Sequence, residues 1–215
     1  MNPKKLEVKW QKKWEEAKLF ESEPKEDQEK YFVNCPYPYM NGYLHLGHAF
    51  TYLRADMVSR YQRMKNKNVL FPFAFHCTGT PIVAAAQRVK EGEKIQIKAL
   101  KQMGLSDTLI KKLSKPEEWT KHFPDKAVKD LRKFGTSIDW RRSFITTSLN
   151  PPYDRFIQWQ FNKLLKKDYL IKGTFPVVWC PKRETVVGDH DRLSGEGETP
   201  QEYTLLKFKG EDDYL

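Results

Sequence analysis

Cysteine is scarce in this sequence: 215 residues hold three, Cys35, Cys77 and Cys180, with no C-x-x-C pair among them. An odd number of widely spaced thiols disfavours a disulfide framework and suits a reducing cytosol. The lack of close pairs also argues against structural zinc, whose ligands usually arrive in such pairs. Long apolar runs are missing too. The best, Phe71-Pro72-Phe73-Ala74-Phe75, is strand-sized, far short of the roughly 20 residues that span a bilayer. The start, Met1-Asn2-Pro3-Lys4-Lys5, carries no apolar signal core, so a cytoplasmic protein with no membrane partner is expected. There is no G-x-G-x-x-G and no Walker sequence, which disfavours the ordinary dinucleotide and P-loop classes. Internal repeats and low-complexity tracts are absent as well.

What is present is a soluble, basic, aromatic-rich chain. Hydrophobic residues make up 39% and aromatics 13%, enough for a real core. Lys and Arg number 38 against 28 Asp and Glu, a net charge of +10. Such an excess favours polyanionic partners, RNA or nucleotides.

Periodicity sets out the elements. Leu6, Trp10, Trp14 and Ala17 form one stripe of an amphipathic helix, and the polar stretch 21–29 reads as a linker. Tyr31-Phe32-Val33-Asn34-Cys35 reads as a strand. Prolines and an Asn-Gly turn in Pro36–Gly42 end it. Leu46, Phe50, Leu53, Met57, Tyr61 and Met64 then step by three and four, a long helix whose stripe is expected in the core. Val69-Leu70-Phe71 is the next strand. Strand, loop, helix, strand is a βαβ unit, whose two strands should run parallel. A helix opens after Pro81. Residues of about 91–125 read as a Lys-rich helical insertion, and Ala127 to Phe134 as a separate helix closed by Gly135. A helix follows from Tyr153 to Leu165, then a strand over Phe175–Trp179 and another over Tyr203–Phe208.

In a parallel α/β sheet, ligands sit where strand ends lead into helix N-termini. The loop Pro36–Gly42 is such a place, and His45-Leu46-Gly47-His48 opens the helix after it. Residues three apart share a face of the first turn. Gly47 leaves the backbone bare for a bulky ligand, and the helix N-terminus favours a phosphate. Two imidazole donors there could stabilise charge in an in-line displacement at phosphorus. The same pair could equally be a surface coincidence or half of a metal site, and His76, His122 and His190 offer no obvious third ligand.

These residues carry a resemblance. Pro38-Tyr39-Met40-Asn41-Gly42-Tyr43-Leu44-His45-Leu46-Gly47-His48 resembles the HIGH signature of class I aminoacyl-tRNA synthetases. The fuller string Cys35–Thr51 is similar to the leucyl enzymes of archaeal and eukaryal type. Phe75-His76-Cys77-Thr78-Gly79-Thr80-Pro81-Ile82, Phe134 through Arg142 and Trp179-Cys180-Pro181 continue the match in order, over nearly the whole chain.

The resemblance implies an α/β fold: the first half of the class I Rossmann-like nucleotide-binding domain, a parallel sheet with flanking helices. Residues 1–29 would be a leading helix and linker and 30–190 the half-domain with its insertion. Residues 191–215 would start a β-rich editing domain. It implies a leucine–tRNA ligase that forms leucyl-adenylate from ATP and passes it to the leucine tRNA. Magnesium would accompany ATP, and no zinc is expected. Pro38, Asn41, Gly42, His45, Gly47 and His48 would hold ATP, with His45 and His48 catalytic. Tyr37, Tyr39 and His76 would line the leucine pocket, His76 standing where many relatives have an acidic residue. The chain would be an N-terminal part, needing the remaining C-terminal portion with its KMSKS loop and anticodon-binding domain.

Other readings stay open beside this one: a non-catalytic nucleotide- or tRNA-binding fragment or paralogue, and an isoleucyl or valyl ligase. Lys112-Leu113-Ser114-Lys115 superficially resembles KMSKS, but its place in the Lys-rich insertion makes it a solvated helix end. Asp189-His190-Asp191 reads as a connection between domains. Lys129, Arg132, Lys133, Arg141 and Arg142 read as solvated surface first and as tRNA contacts second.

Overall fold

The computed structural model describes residues 3–181 and 184–188. The chain divides into two units, Met1–Tyr169 and Leu170–Leu215. The first opens with α1 (Pro3–Glu16), a helix with no buried residue. It lies on the surface of its unit, where Gln11 donates to the Lys133 carbonyl at 2.9 Å and Glu15 pairs with Arg132 at 3.0 Å.

The expected βαβ unit follows. Strand β1 (Lys30–Phe32) leads through α2 (Leu46–Met64) to β2 (Asn68–Leu70). The strands pair parallel with Tyr31 opposite Val69, so α2 is the crossover. Strand β3 (Ala74–Phe75) is followed by α3 (Thr80–Lys90), α4 (Lys94–Gln102), α5 (Asp107–Lys112) and α6 (Pro116–Phe134). Past a 3₁₀ turn at Trp140–Arg142, β4 (Phe144–Ile145) returns parallel to β3 with Ala74 opposite Phe144. An isolated parallel bridge joins Tyr39 to His76. Helix α7 (Pro151–Leu165) completes the unit.

The helices of 91–125 share the core rather than standing apart from it. Leu100, Leu113, Trp119 and Phe123 are as fully buried as Phe71 and Phe73, in one cluster with Val69 and Phe75. The many lysines between them dilute the apolar pattern along the chain and hid this face. Trp119 keeps its indole N–H satisfied by donating to the Leu113 carbonyl at 2.6 Å, as a buried indole must. The expected break near residue 125 is also absent. Helix α6 runs through Pro124 to Phe134, where Gly135 takes the left-handed conformation (φ 81°) and closes it.

The long helix has the predicted bounds but the opposite face inward. Phe50, Met57 and Met64 are 60%, 62% and 85% exposed, and Leu46, Leu53 and Tyr61 are exposed with them. The buried side is Tyr52, Asp56 and Ser59, a second row with helical spacing. Asp56 accepts the Ser137 backbone N–H and pairs with Arg60 at 2.7 Å. Arg63 donates to the Ser137 hydroxyl at 2.7 Å and to its carbonyl at 3.0 Å. These polar anchors to the loop after α6 fix the helix's rotation, so Met57, Met64 and the aromatic stripe are not core here.

In the second unit, β5 (Trp179–Cys180) and β6 (Thr185–Val186) form a short antiparallel hairpin. The strand expected over Phe175–Trp179 therefore begins only at Trp179. Asp189-His190-Asp191 and Tyr203–Phe208 lie outside the described residues. Among the described residues, no helix is long and apolar enough to cross a membrane.

Candidate functional site

The loop from β1 to α2 is pinned at its middle and at its end. In the middle, the His76 N–H donates to the Pro38 carbonyl at 2.8 Å and the Met40 N–H donates to the His76 carbonyl at 3.0 Å. Pro38 and Met40 are buried, whereas Asn41 and Gly42 are half-buried. A Cβ on Gly42 would stand 3.3 Å from the Met103 methyl, so the end of α4 backs directly onto the turn.

At the end, two histidines cap the helix reciprocally. His45 is the N-cap, in extended conformation (φ −130°, ψ 177°), and its Nδ1 accepts the Gly47 N–H at 3.1 Å. The His48 Nδ1 accepts the His45 N–H at 3.2 Å. This is the topology of a capping box with imidazoles in place of hydroxyl and carboxylate. An accepting Nδ1 puts the proton of a neutral ring on Nε2, so each ring keeps one N–H donor that the cap does not use. The ring centroids are 4.1 Å apart. Burial, and then the charge of His45, push the His48 pKa down, which holds it neutral at pH 7.

Gly47 has a more local reason than the room for a ligand expected of it. A Cβ there would lie 2.9 Å from His45 Cε1 and 3.1 Å from its Nδ1. The His45 ring folds over the bare backbone, and the cap needs that space.

Tyr39 and His76 form a second pair. Their rings stack with centroids 4.1 Å apart and 29° between planes. His76 Nδ1 lies 3.4 Å from the Thr78 hydroxyl. Burial lowers its pKa against an opposing backbone hydrogen bond to Thr78, so this imidazole is neutral and offers no ion pair. Tyr37 packs edge-on against Phe73 and Phe144, each at 6.0 Å. A relay of rings connects it to the histidines: His48 to Tyr52 at 6.0 Å, Tyr52 to Phe73 at 5.0 Å, Phe73 to Tyr37. The relay thus joins Tyr37, near the middle of the loop, to the histidine pair at its end. Burial pushes the Cys35 thiol up to about 11 and the Cys77 thiol up to about 12, so neither is a thiolate nucleophile at neutral pH.

The structure adds residues that spacing alone had not singled out. Tyr52 lies four residues after His48, a separation that places both on one helix face. Thr78 follows His76 by two. His122 and Met103 touch the loop from distant sequence, and no local pattern announces that. The basic residues divide. Arg132 pairs with Glu15, and Arg141 with the buried Asp139 at 2.8 Å and with Glu23, whereas Lys129 and Lys133 are exposed. Lys112 is exposed beside a buried Leu113, and Lys115 is exposed two residues on. Among the described residues, no three His, Cys, Asp or Glu side chains come together as a metal site.

Comparison with known proteins adds the following. A family model described as tRNA synthetases class I (I, L, M and V) matches residues 9–203. A leucine–tRNA ligase of Aeropyrum pernix is 51% identical over 210 residues, which is 97% of this chain and 22% of that protein. Those of Methanococcoides burtonii and Methanocaldococcus jannaschii are 46% and 44% identical over 97% of the chain. The chain thus spans about a fifth of the length of these curated relatives, matching their N-terminal portion. Among solved structures, a ternary complex of Agrobacterium radiobacter K84 agnB2 LeuRS-tRNA-LeuAMS superposes with a TM-score of 0.64. It is 24% identical and covers 84% of this chain and 20% of that one, a likeness of fold.

Proposed function

Because the chain belongs to the class I tRNA synthetase family, we propose that it supplies the ATP-phosphate site of a leucine–tRNA ligase. In the proposed reaction the leucine carboxylate attacks the ATP α-phosphate, pyrophosphate leaves, and leucyl-adenylate forms. The terminal ribose hydroxyl of the leucine tRNA then takes the acyl group.

One observation carries this reading. The reciprocal cap occupies Nδ1 of both imidazoles and leaves the Nε2 edge of each out of the cap, with the ring centroids 4.1 Å apart at the N-terminus of α2. Fixed donors aimed where phosphate charge develops lower the barrier without reorganising. The helix end adds unpaired N–H groups of the right polarity. Pro38, Asn41, Gly42 and Gly47 shape the backbone around them. Magnesium fits this scheme as the nucleotide's own counter-ion. Tyr37, Tyr39 and His76 are read as the leucine subsite, where stacked rings offer an apolar wall for an isobutyl group. Residues 30–190 are read as the first half of the catalytic domain, with the remaining portion of the synthetase completing it. A cytoplasmic location goes with that reaction.

Leucine-dependent ATP–pyrophosphate exchange by the full-length polypeptide containing this chain tests the reading, with isoleucine and valine as controls. Exchange with leucine far above both supports it. Exchange preferring isoleucine or valine reassigns the amino acid. Silence with all three, beside retained RNA binding, overturns it in favour of a binding role.

A further inference from the structure

We propose that His122, on α6, is a positioning residue that holds Tyr43, and through Tyr43 the loop that delivers His45 to the nucleotide. The inference rests on the ligase reading above for its catalytic readout, though not for its structural one.

The loop needs such support. The sheet bridge fixes it at Met40 and the capping box at His45, but residues 41–44 between them belong to no helix or strand. Their backbone makes no hydrogen bond to another part of the chain among the described residues. Side chains from the helices after β3 take over. Met103, at the end of α4, backs onto Gly42. On α6, Phe123 meets the Tyr43 ring edge-on at 5.4 Å, and Lys126 Nζ stands 5.8 Å from its centroid. The Tyr43 hydroxyl lies 3.3 Å from His122 Nε2. The aromatic contacts place the ring, and the hydrogen bond fixes the direction in which it points. Tyr43 is two residues before the N-cap. A shift of its Cα is therefore passed along a short, otherwise unbonded backbone to the residue whose ring carries the donor. A loss of 1 Å in placement at such a site can reduce rate about 100-fold.

The test uses the full-length synthetase with Tyr43→Phe, His122→Asn and the double substitution. Tyr43→Phe keeps the ring against Phe123 and removes only the hydroxyl. Each single change should raise the KM for ATP about 3- to 10-fold, the range for one neutral hydrogen bond, with the KM for leucine within about twofold. The double substitution should be no worse than either single one, since both remove the same bond. Hydrogen exchange of the peptide covering residues 41–48 should quicken in all three. Equal rises in both KM values, additive effects, or unchanged exchange in that peptide overturn the proposal. Should the wild-type protein lack leucine-dependent activity, the ligase reading falls, and the exchange of residues 41–48 still decides the role of His122: quickened supports it, unchanged overturns it.

Discussion

His48 accepts the backbone N–H of His45 through Nδ1 at 3.2 Å, and His45 in turn accepts from the Gly47 N–H at 3.1 Å. Each ring therefore has a structural nitrogen and a chemical one. Nδ1 satisfies amide donors that a helix start otherwise leaves orphaned. Nε2 lies outside the cap, and it is the donor that the proposed nucleotide contact would use. Two requirements that commonly compete, a stable helix end and exposed donors, are met by opposite edges of the same rings.

This division can be separated by substitution. Asn is among the best N-caps, and Gln at the third helical position can complete a capping box. His45→Asn and His48→Gln should therefore keep stability within about 0.5 kcal/mol, whereas His45→Ala should lose about 1 kcal/mol. All three should reduce leucine-dependent pyrophosphate exchange by about 100-fold or more, the scale for removing one oriented donor. Urea unfolding beside exchange assays on the same variants makes the comparison. Retained activity in His45→Asn would show that the imidazole matters only as a cap.

Gly47→Ala sets two effects against each other. Alanine is favoured over glycine inside a helix by up to about 1 kcal/mol. The new Cβ, however, would meet the His45 ring at 2.9 Å and displace Nδ1 from the Gly47 N–H, removing a cap of similar size. Stability should change by less than about 1 kcal/mol, while exchange activity falls at least about tenfold. A variant with full activity would mean that the His45 ring moves freely without consequence.

The pH dependence follows from three imidazoles. His48, His76 and His122 all have pKa values pushed below the ordinary 6.5, in each case chiefly by burial. Between the lowered folded value and 6.5, the unfolded chain binds more protons than the folded one. Stability therefore rises with pH through that window and is lost as pH falls below about 6.5. Protonated His48 also cannot accept from His45, so the cap opens over the same range. Melting temperatures from pH 8 to pH 5 should decline once pH passes below about 6.5. The decline should be shallower in His48→Gln. A flat profile in the wild-type chain would contradict the half-buried placement of these rings.

How much of this was legible in the sequence depends on whether the signal was local. The βαβ unit, the bounds of α2 and the pairing of His45 with His48 follow from spacing, and the structure has them as read. Which nitrogen each histidine presents did not follow, because it depends on the χ angles that bring Nδ1 to a backbone N–H. The core role of Leu100, Leu113 and Trp119 was hidden by intervening lysines. Tyr43 and His122 are 79 residues apart, and only the fold brings them together. The stacking of Tyr39 on His76 similarly needed the parallel bridge between two separate segments.

The rotation of α2 shows why periodicity names a face without orienting it. Two rows on this helix have helical spacing: the apolar Leu46, Phe50, Met57 and Met64, and the mixed Tyr52, Asp56 and Ser59. Counting apolar residues selects the first, yet the second is buried. Asp56 is what decides, because it satisfies the Ser137 N–H and Arg60 at once. Turning the other face inward would strand both donors. Asp56→Ala should accordingly cost this chain about 2–3 kcal/mol, the penalty for leaving buried hydrogen-bonding groups unpaired, including one to a charge. Met57→Gln, on the exposed row, should stay within about 0.5 kcal/mol. Trp119→Ala, in the shared core, should lose about 3–5 kcal/mol. Urea unfolding of the three variants ranks them directly. If Met57→Gln proves as costly as Asp56→Ala, the apolar row is packed in solution and the orientation of the helix is the reverse of that found.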